Sequence, residues 1–142
     1  MGTAQVKLVV LMRGLPGSGK SSVAKLLQQL VTGSIIVSAD HYFTDTEHLL
    51  QAHWACRRAF SSALRAGAPL VVVDNTNTRL VEMRPYVDEA RASGYETCVF
   101  ELDCDLETSV ARNVHQVPRE TIEKFAARLR NPLPPDWSVV RI

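Results

Sequence analysis

The chain has 142 residues, of which 46% are hydrophobic and 22% are charged, and its formal net charge is +1. This length and composition predict one globular domain with a core of its own, and they exclude a disordered or fibrous chain. The near-zero net charge excludes a broad positive field, so a polynucleotide would have to be held in a local groove or by its end.

The cysteine pattern and the hydropathy predict where the protein is found. Cys56, Cys98 and Cys104 form no C-x-x-C pair, and their odd number argues against a disulfide framework. No apolar run approaches the length of a membrane span, and the start of the chain lacks a signal-peptide layout. We therefore expect an intracellular protein of the cytoplasm or nucleus, with no membrane partner. The sequence does not indicate protein partners.

The most informative stretch is GLPGSGKS, from Gly14 to Ser21, which satisfies the phosphate-binding loop pattern G-x-x-x-x-G-K-[ST]. The apolar run Leu8–Met12 precedes it as a predicted buried strand, and Ser22–Leu30 follows it with helical periodicity. In that context the loop N–H groups and the start of the helix face an anion. We therefore predict a site for ATP or another nucleoside triphosphate with Mg²⁺. The predicted nucleotide-binding residues are Gly14, Leu15, Pro16, Gly17, Ser18, Gly19, Lys20, Ser21, Ser22 and Arg112.

Within this loop, two side chains have separate predicted roles. Lys20 should contact the β and γ phosphates as a point charge, and the Ser21 hydroxyl should be a ligand of Mg²⁺. A second buried strand, Ile35–Val37, then leads to Asp40. In an open α/β sheet the ligand crevice lies beyond the carboxyl ends of the strands, so Asp40 should face the crevice. The alternative for Asp40 is a simple helix or turn cap.

A long helix is predicted over Thr46–Ala66, with Gly67 closing it. Three arginines on this helix could contact an acceptor strand, or they could form an ordinary solvated face. They are Arg57, Arg58 and Arg65.

The next strand, Leu70–Asp74, is apolar until its last residue and is therefore expected to be buried on both faces. Asp74 at its end is the predicted carboxylate ligand of Mg²⁺. The polar residues that follow should lie at the same crevice, and Asn75, Asn77 and Arg79 are predicted to contact the substrate together with Asp40. Asn75 and Asn77 could instead be ordinary turn formers.

The polar segment Arg112–Pro118 joins two predicted helices and is the candidate lid over the phosphates, in which Arg112 would stabilise the transferring group. An ordinary helix–helix corner is the alternative. His115 is the one histidine in this lid that warrants testing. The other predicted elements are a helix Pro85–Ser93 after an irregular turn from Leu80, a strand Thr97–Leu102, a helix capped by Asp105 and running to about Asn113, a helix Arg119–Leu129 and a strand Trp137–Ile142.

Alternation of strands and helices predicts a parallel sheet with helices on both faces. The expected fold is α/β, a three-layer phosphate-loop kinase fold with about five strands, in a single domain over residues 1–142. In such a site Asp40 is the best-placed acceptor for the proton of an incoming hydroxyl.

Four motifs occur in order along the chain: Arg13–Ser21, Ser38–Tyr42, Asp74–Asn77 and Arg112–Pro118. Together they resemble the polynucleotide 5′-hydroxyl kinase branch of the P-loop kinases, most closely the Nedd-binding-protein-two-like proteins. The resemblance implies transfer of phosphate from ATP to a 5′-hydroxyl end of DNA or RNA, with Asp40 as general base and Lys20 and Arg112 as phosphate stabilisers.

The chain departs from that family pattern beside Asp40. Polynucleotide kinases usually carry arginines next to and shortly after this aspartate, where Ala39 and Phe43 stand here. Two other functions therefore stay open. The near-zero net charge favours a kinase for a small metabolite, and the missing arginines favour a non-catalytic nucleotide-binding module.

Overall fold

The computed structural model describes residues 6–41, 49–114 and 116–142. His115, Phe43 and the predicted helix start at Thr46 lie outside the described residues. Within them, five strands form one parallel sheet in the order β2-β3-β1-β4-β5. The strands are β1 (Leu8–Arg13), β2 (Ile35–Val37), β3 (Leu70–Asp74), β4 (Glu96–Glu101) and β5 (Val139–Arg141).

Helices cover both faces of this sheet, which confirms the predicted three-layer α/β fold. They are α1 (Lys20–Leu30), α2 (Leu49–Arg65), α3 (Leu80–Ala92), α4 (Leu106–Ala111) and α5 (Arg119–Leu129), with a 3₁₀ turn over Ala39–His41. Alternate residues of β1 point to opposite faces, so Val9 packs in the core beneath α2 and α3 while Val10 packs in the core beneath α1. No helix in the described ranges is long and apolar enough to cross a membrane.

The strand order reverses at β1, which makes its carboxyl end the expected ligand crevice. From β1 the chain first builds β2 and β3 on one side, and it then builds β4 and β5 on the other. The loop Gly14–Gly19 begins at the carboxyl end of β1, and the chain segments that follow β2, β3 and β4 begin at the same edge of the sheet. The sheet therefore brings residues from four separate stretches of sequence to one place.

Helix α3 begins at Leu80, five residues before the predicted start at Pro85. The Glu82 carboxylate accepts hydrogen bonds from the Arg79 backbone N–H at 3.1 Å and from the Arg79 guanidinium at 3.2 Å, which caps this end. The prediction was wrong because it placed the proline at the first helical position, where prolines are common, whereas Pro85 lies inside the helix. Helix α4 and strand β5 are also shorter than predicted, whereas α5 has the predicted bounds.

Arg13, at the end of β1, is almost fully buried, with 2% of its side chain exposed. Its guanidinium donates hydrogen bonds to the carbonyl oxygens of Asn77 at 2.9 Å and Thr78 at 3.1 Å, and to the Glu101 carboxylate at 2.9 Å. One side chain thus joins the ends of β1 and β4 to the loop after β3, next to the phosphate loop. A buried charge held by three acceptors fixes these segments relative to each other.

We expect Glu101→Gln to lower the free energy of unfolding by about 1–3 kcal/mol, because it leaves the buried Arg13 charge without its carboxylate. The loss is smaller than for a fully enclosed pair, since the Glu101 side chain is 21% exposed and an amide oxygen can still accept. Urea denaturation measures the change. Glu96→Gln, at the exposed start of the same strand, is the matched control. Equal stability of the two variants would contradict the role of Glu101 in stabilising the buried Arg13 charge.

Candidate active site

The phosphate loop needs its glycines for conformation and for close approach. Gly17 and Gly19 have φ angles of +73° and +101°, where other residues are strained. A Cβ on Gly14 would lie 2.9 Å from the Ser18 hydroxyl oxygen and 3.0 Å from the Leu102 carbonyl oxygen. The Ser18 hydroxyl is buried and has no hydrogen-bond partner in the described part of the chain. A phosphate oxygen would satisfy this hydroxyl, so the loop fits a nucleotide tail.

Lys20 lies at the base of this loop, with 9% of the residue exposed. Its ammonium group donates a hydrogen bond to the Leu15 carbonyl oxygen at 2.7 Å. Burial lowers the pKa of Lys20 to about 8, and the charges of Asp74 and Asp40 oppose this by raising the pKa.

The two predicted oxygen ligands of Mg²⁺ meet beside Lys20. The Ser21 hydroxyl donates a hydrogen bond to the Asp74 carboxylate at 2.9 Å. Adjacent ligands of an octahedral Mg²⁺ with bonds of about 2.1 Å are separated by a similar distance, so the pair fits this ion. The described residues contain no group of three or more His, Cys, Asp or Glu that could hold a metal. Mg²⁺ normally takes only one or two protein ligands and completes its shell with phosphates and water.

Asp40 lies in the 3₁₀ turn that follows β2, and it is exposed to solvent. Its backbone N–H donates to the Ser38 hydroxyl at 3.2 Å. The preceding backbone N–H, of Ala39, donates to the Asn75 side-chain oxygen at 2.8 Å. The turn that carries the carboxylate is therefore attached to the end of β3, next to Asp74.

Asn75 is held by the protein at both ends of its amide group. Its nitrogen donates to the Cys56 sulfur at 3.6 Å, and the Tyr86 hydroxyl donates to the same sulfur at 3.3 Å. Burial raises the pKa values of the Cys56 thiol and the Tyr86 hydroxyl, so both stay protonated near neutral pH. This neutral, buried chain of contacts supports the turn at Asp40 from beneath.

The other two predicted substrate contacts, Asn77 and Arg79, both contact other parts of the protein. Asn77 is 2% exposed, and its amide donates to the Met12 carbonyl oxygen at 2.7 Å. The expectation that Asn77 contacts the substrate is therefore wrong, because its side chain is committed to the interior. The exposed guanidinium of Arg79 is paired with Glu82 at the start of α3.

Helix α4 is attached directly to the phosphate loop. The Ser109 hydroxyl is fully buried and donates to the Pro16 carbonyl oxygen at 2.6 Å. A Cβ on Gly17 would lie 2.8 Å from the Cβ of Arg112, so the end of α4 approaches the loop as closely as a glycine allows. Arg112 itself is exposed beside the loop. Sequence analysis missed Ser109, because a single serine within a helix carries no signal.

The family comparisons agree with this geometry. A family model described as AAA domain matches residues 9–132. Human NEDD4-binding protein 2 is 36% identical in an alignment that covers 87% of this chain and 8% of that protein. Human YLP motif-containing protein 1 is 26% identical over 84% of this chain and 7% of its own length. The chain thus spans less than a tenth of either relative.

Several solved structures share the fold. A chain of the Pnkp1/Rnl/Hen1 RNA repair complex superposes with a TM-score of 0.73 at 19% identity, covering 91% of this chain and 46% of that one. A fungal RNA kinase gives 0.68 at 13%, covering 97% and 38%. A gluconokinase from Sinorhizobium meliloti gives 0.62 at 18%, covering 96% and 82%. These similarities confirm the P-loop kinase fold.

Proposed function

This chain belongs to the AAA domain family of P-loop kinases, and we propose that it transfers the γ-phosphate of ATP to the 5′-hydroxyl end of a polynucleotide. One observation carries the proposal: hydrogen bonds join the turn of the exposed Asp40 to the start of the helix that carries the buried Lys20. The Ala39 N–H donates to Asn75 at 2.8 Å, and the adjacent Asp74 accepts from Ser21 at 2.9 Å, so the Asp40 carboxylate and the Lys20 ammonium group belong to one crevice. A hydroxyl group placed between the two can lose its proton to Asp40 while Lys20 binds the phosphate that it attacks. The shared fold with a chain of an RNA repair complex and with a fungal RNA kinase favours a polynucleotide as the acceptor.

The nucleotide would be held by the phosphate loop. Backbone N–H groups of Gly17 to Ser22 and the Ser18 hydroxyl would contact the β and γ phosphates, and Lys20 would leave the Leu15 carbonyl to contact them as well. Ser21 and Asp74 would hold Mg²⁺, which when bound neutralises phosphate charge. Arg112 would approach from the end of α4 as the lid residue.

At the acceptor side, Asp40 would accept the proton of the 5′-hydroxyl as its oxygen attacks the γ-phosphorus. The bond from the γ-phosphorus to the β–γ bridging oxygen breaks, ADP leaves, and the proton on Asp40 passes to solvent. Lys20 and Arg112 would stabilise the charge on the equatorial oxygens during transfer. Each protein group thus acts on a charge or a proton, and no covalent enzyme intermediate is needed.

The direct test offers ATP labelled in its γ-phosphate to a 5′-hydroxyl oligonucleotide and to the same oligonucleotide carrying a 5′-phosphate. We expect label to enter only the first. Label in neither substrate, with ATP binding intact, would contradict the proposal.

A kinase for a small hydroxyl compound is the second candidate. The net charge of +1 and the similarity to a gluconokinase favour it. It predicts acceptor binding that depends weakly on salt, whereas an acceptor that carries several phosphates predicts a steep dependence.

We expect Asn75→Ala to lower kcat about tenfold with little change in ATP affinity. The substitution removes the acceptor for the Ala39 N–H and so loosens the turn that carries Asp40, and one such hydrogen bond is worth about 1.4 kcal/mol. Tyr86→Phe removes a contact one step further away and should have a smaller effect. Asn131→Ala, in the exposed connector after α5, is the matched control. Steady-state kinetics measures kcat separately from the KM for ATP. An unchanged kcat in Asn75→Ala would contradict the role of Asn75 in supporting the Asp40 turn.

A further inference from the structure

One exposed face of α2 combines an aromatic ring with several positive charges. Trp54 is 67% exposed, and the Arg58 guanidinium lies over its ring, 5.4 Å from the centroid. Further along the helix, Arg65 is exposed and donates a hydrogen bond to the Ser62 hydroxyl at 3.3 Å. A groove of about 420 Å³, named the α2 groove here, is lined by Trp54, Arg57, Arg58, Ser61, Ser62 and Arg65.

Within the described ranges, the arginines of the α2 groove form no ion pair with a carboxylate. Across the described ranges, no carboxylate oxygen lies within 4.0 Å of Arg57, Arg58 or Arg65. In contrast, Arg13, Arg79 and Arg119 each form an ion pair. Ser61 in the groove donates to Glu89 of α3 at 2.9 Å. Among the described residues, the groove thus has three arginines against the one carboxylate of Glu89, and it is a local positive surface on a chain whose net charge is only +1.

The α2 groove starts at the edge of the sheet that carries Asp40. Helix α2 connects β2 to the parallel neighbouring strand β3, so it must return from the carboxyl edge of the sheet to the amino edge. The contact of Cys56 with Asn75 at the carboxyl end of β3 agrees with this direction. Helix α2 therefore runs antiparallel to the strands, with Trp54 at the acceptor edge. Arg65 lies about 16 Å further along the helix, from a rise of about 1.5 Å per residue. A strand that leaves Asp40 along α2 would meet Trp54 first and the arginines next.

We infer that the α2 groove binds a single-stranded segment of nucleic acid, in which a base stacks on Trp54 and phosphates contact Arg58 and Arg65. Every base offers a π face, so an exposed tryptophan suits a strand of any sequence. Arginines without carboxylate partners suit its phosphates. An acidic peptide would satisfy the arginines alone and would leave the exposed ring with no contact beyond Arg58. The inference rests on the proposed function and extends it, because it supplies contacts for acceptor phosphates along α2, away from the turn where Ala39 provides no charge.

The first experiment measures binding without catalysis, using a fluorescently labelled twelve-nucleotide oligo(dT) with a 5′-hydroxyl in the absence of ATP. We expect Trp54→Ala to raise the Kd about tenfold, in line with the loss of one stacked base. Arg58→Glu and Arg65→Glu should each raise the Kd and reduce the slope of log K against log salt by about one. Lys25→Glu, exposed on α1 across the sheet, makes the same charge change and should leave the Kd unchanged. Urea denaturation of each variant confirms that it is folded.

The second experiment separates this inference from the proposed function. Phosphate transfer is measured with a dinucleotide and with the twelve-nucleotide strand, and we expect Trp54→Ala and Arg65→Glu to raise KM for the long acceptor only. Weaker oligonucleotide binding in the groove variants, without transfer in the wild type, would support the groove and contradict the kinase proposal. Wild-type transfer with unchanged Kd and KM in folded groove variants would overturn the groove and leave the kinase. Displacement of the oligonucleotide by poly-glutamate at equal charge concentration would also overturn it, because it would indicate a protein partner.

Discussion

Replacement of Asp40 by asparagine should lower the rate of phosphate transfer at least about 100-fold, while the affinity for ATP stays within about twofold. General-base catalysis contributes about 10²- to 10⁴-fold to a rate, and an amide cannot accept the hydroxyl proton. Asparagine keeps the size and hydrogen-bonding capacity of the side chain, and the Asp40 backbone contact to Ser38 does not involve the carboxylate. The defect should therefore appear in single-turnover transfer at saturating ATP.

The control for this substitution is Asp88→Asn, which makes the same change at an exposed position of α3. Transfer by the control should match the wild type. Transfer by Asp40→Asn at the wild-type rate would show that another group takes the proton. That result would contradict the assignment of Asp40 as the general base, and it would not affect the proposed nucleotide site.

Local sequence patterns predicted well which stretches of the chain meet beside the phosphate loop, because each stretch is recognisable within a few residues. The phosphate loop lies directly between a strand and a helix, and Asp74 is the first charge after an apolar strand. Since parallel strands end at one edge, the two stretches had to converge there. The structure confirms that convergence with a hydrogen bond between Ser21 and Asp74.

The contacts that support the candidate site were harder to predict, since they join residues that are far apart in sequence. Asn75 contacts Ala39 across 36 residues, and Ser109 contacts Pro16 across 93. Neither pairing has a local signature. Asn77 shows the converse error: a polar residue after a strand was expected in the crevice, but its amide satisfies a buried backbone carbonyl instead.

The difference between local and distant contacts also explains why the sequence places Arg13 in the first motif without indicating its structural role. An arginine at the end of a buried strand is expected to reach solvent or a phosphate. Its burial becomes acceptable only because Glu101 and two carbonyl oxygens from another loop surround it. The rigidity of the crevice thus depends on contacts between distant parts of the sequence, whereas the residues with candidate chemical roles can be recognised in short motifs.

Lys20→Met should reduce phosphate transfer about 10³-fold. It should also abolish the fall in ATP affinity that we expect above about pH 8 in the wild type. In the ligand-free protein the pKa of Lys20 is lowered to about 8, so the ammonium loses its proton as the pH rises through that value. Bound phosphates favour the charged form and raise this pKa again. ATP binding near pH 8.5 should therefore take up protons in the wild type, and affinity should fall above about pH 8.

Calorimetry of ATP binding in two buffers with different ionisation enthalpies measures the proton uptake, and Lys25→Met on the exposed side of α1 is the control. The variant should not be compromised in folding. A native pKa below that of the unfolded chain means that the unfolded state binds more protons between about pH 8 and 10.5, so at neutral pH the buried charge of Lys20 destabilises the ligand-free protein. Loss of transfer in Lys20→Met without loss of stability would therefore identify this lysine as a residue kept for its ligand. Proton uptake that persists undiminished in Lys20→Met would instead place the titrating group elsewhere in the crevice.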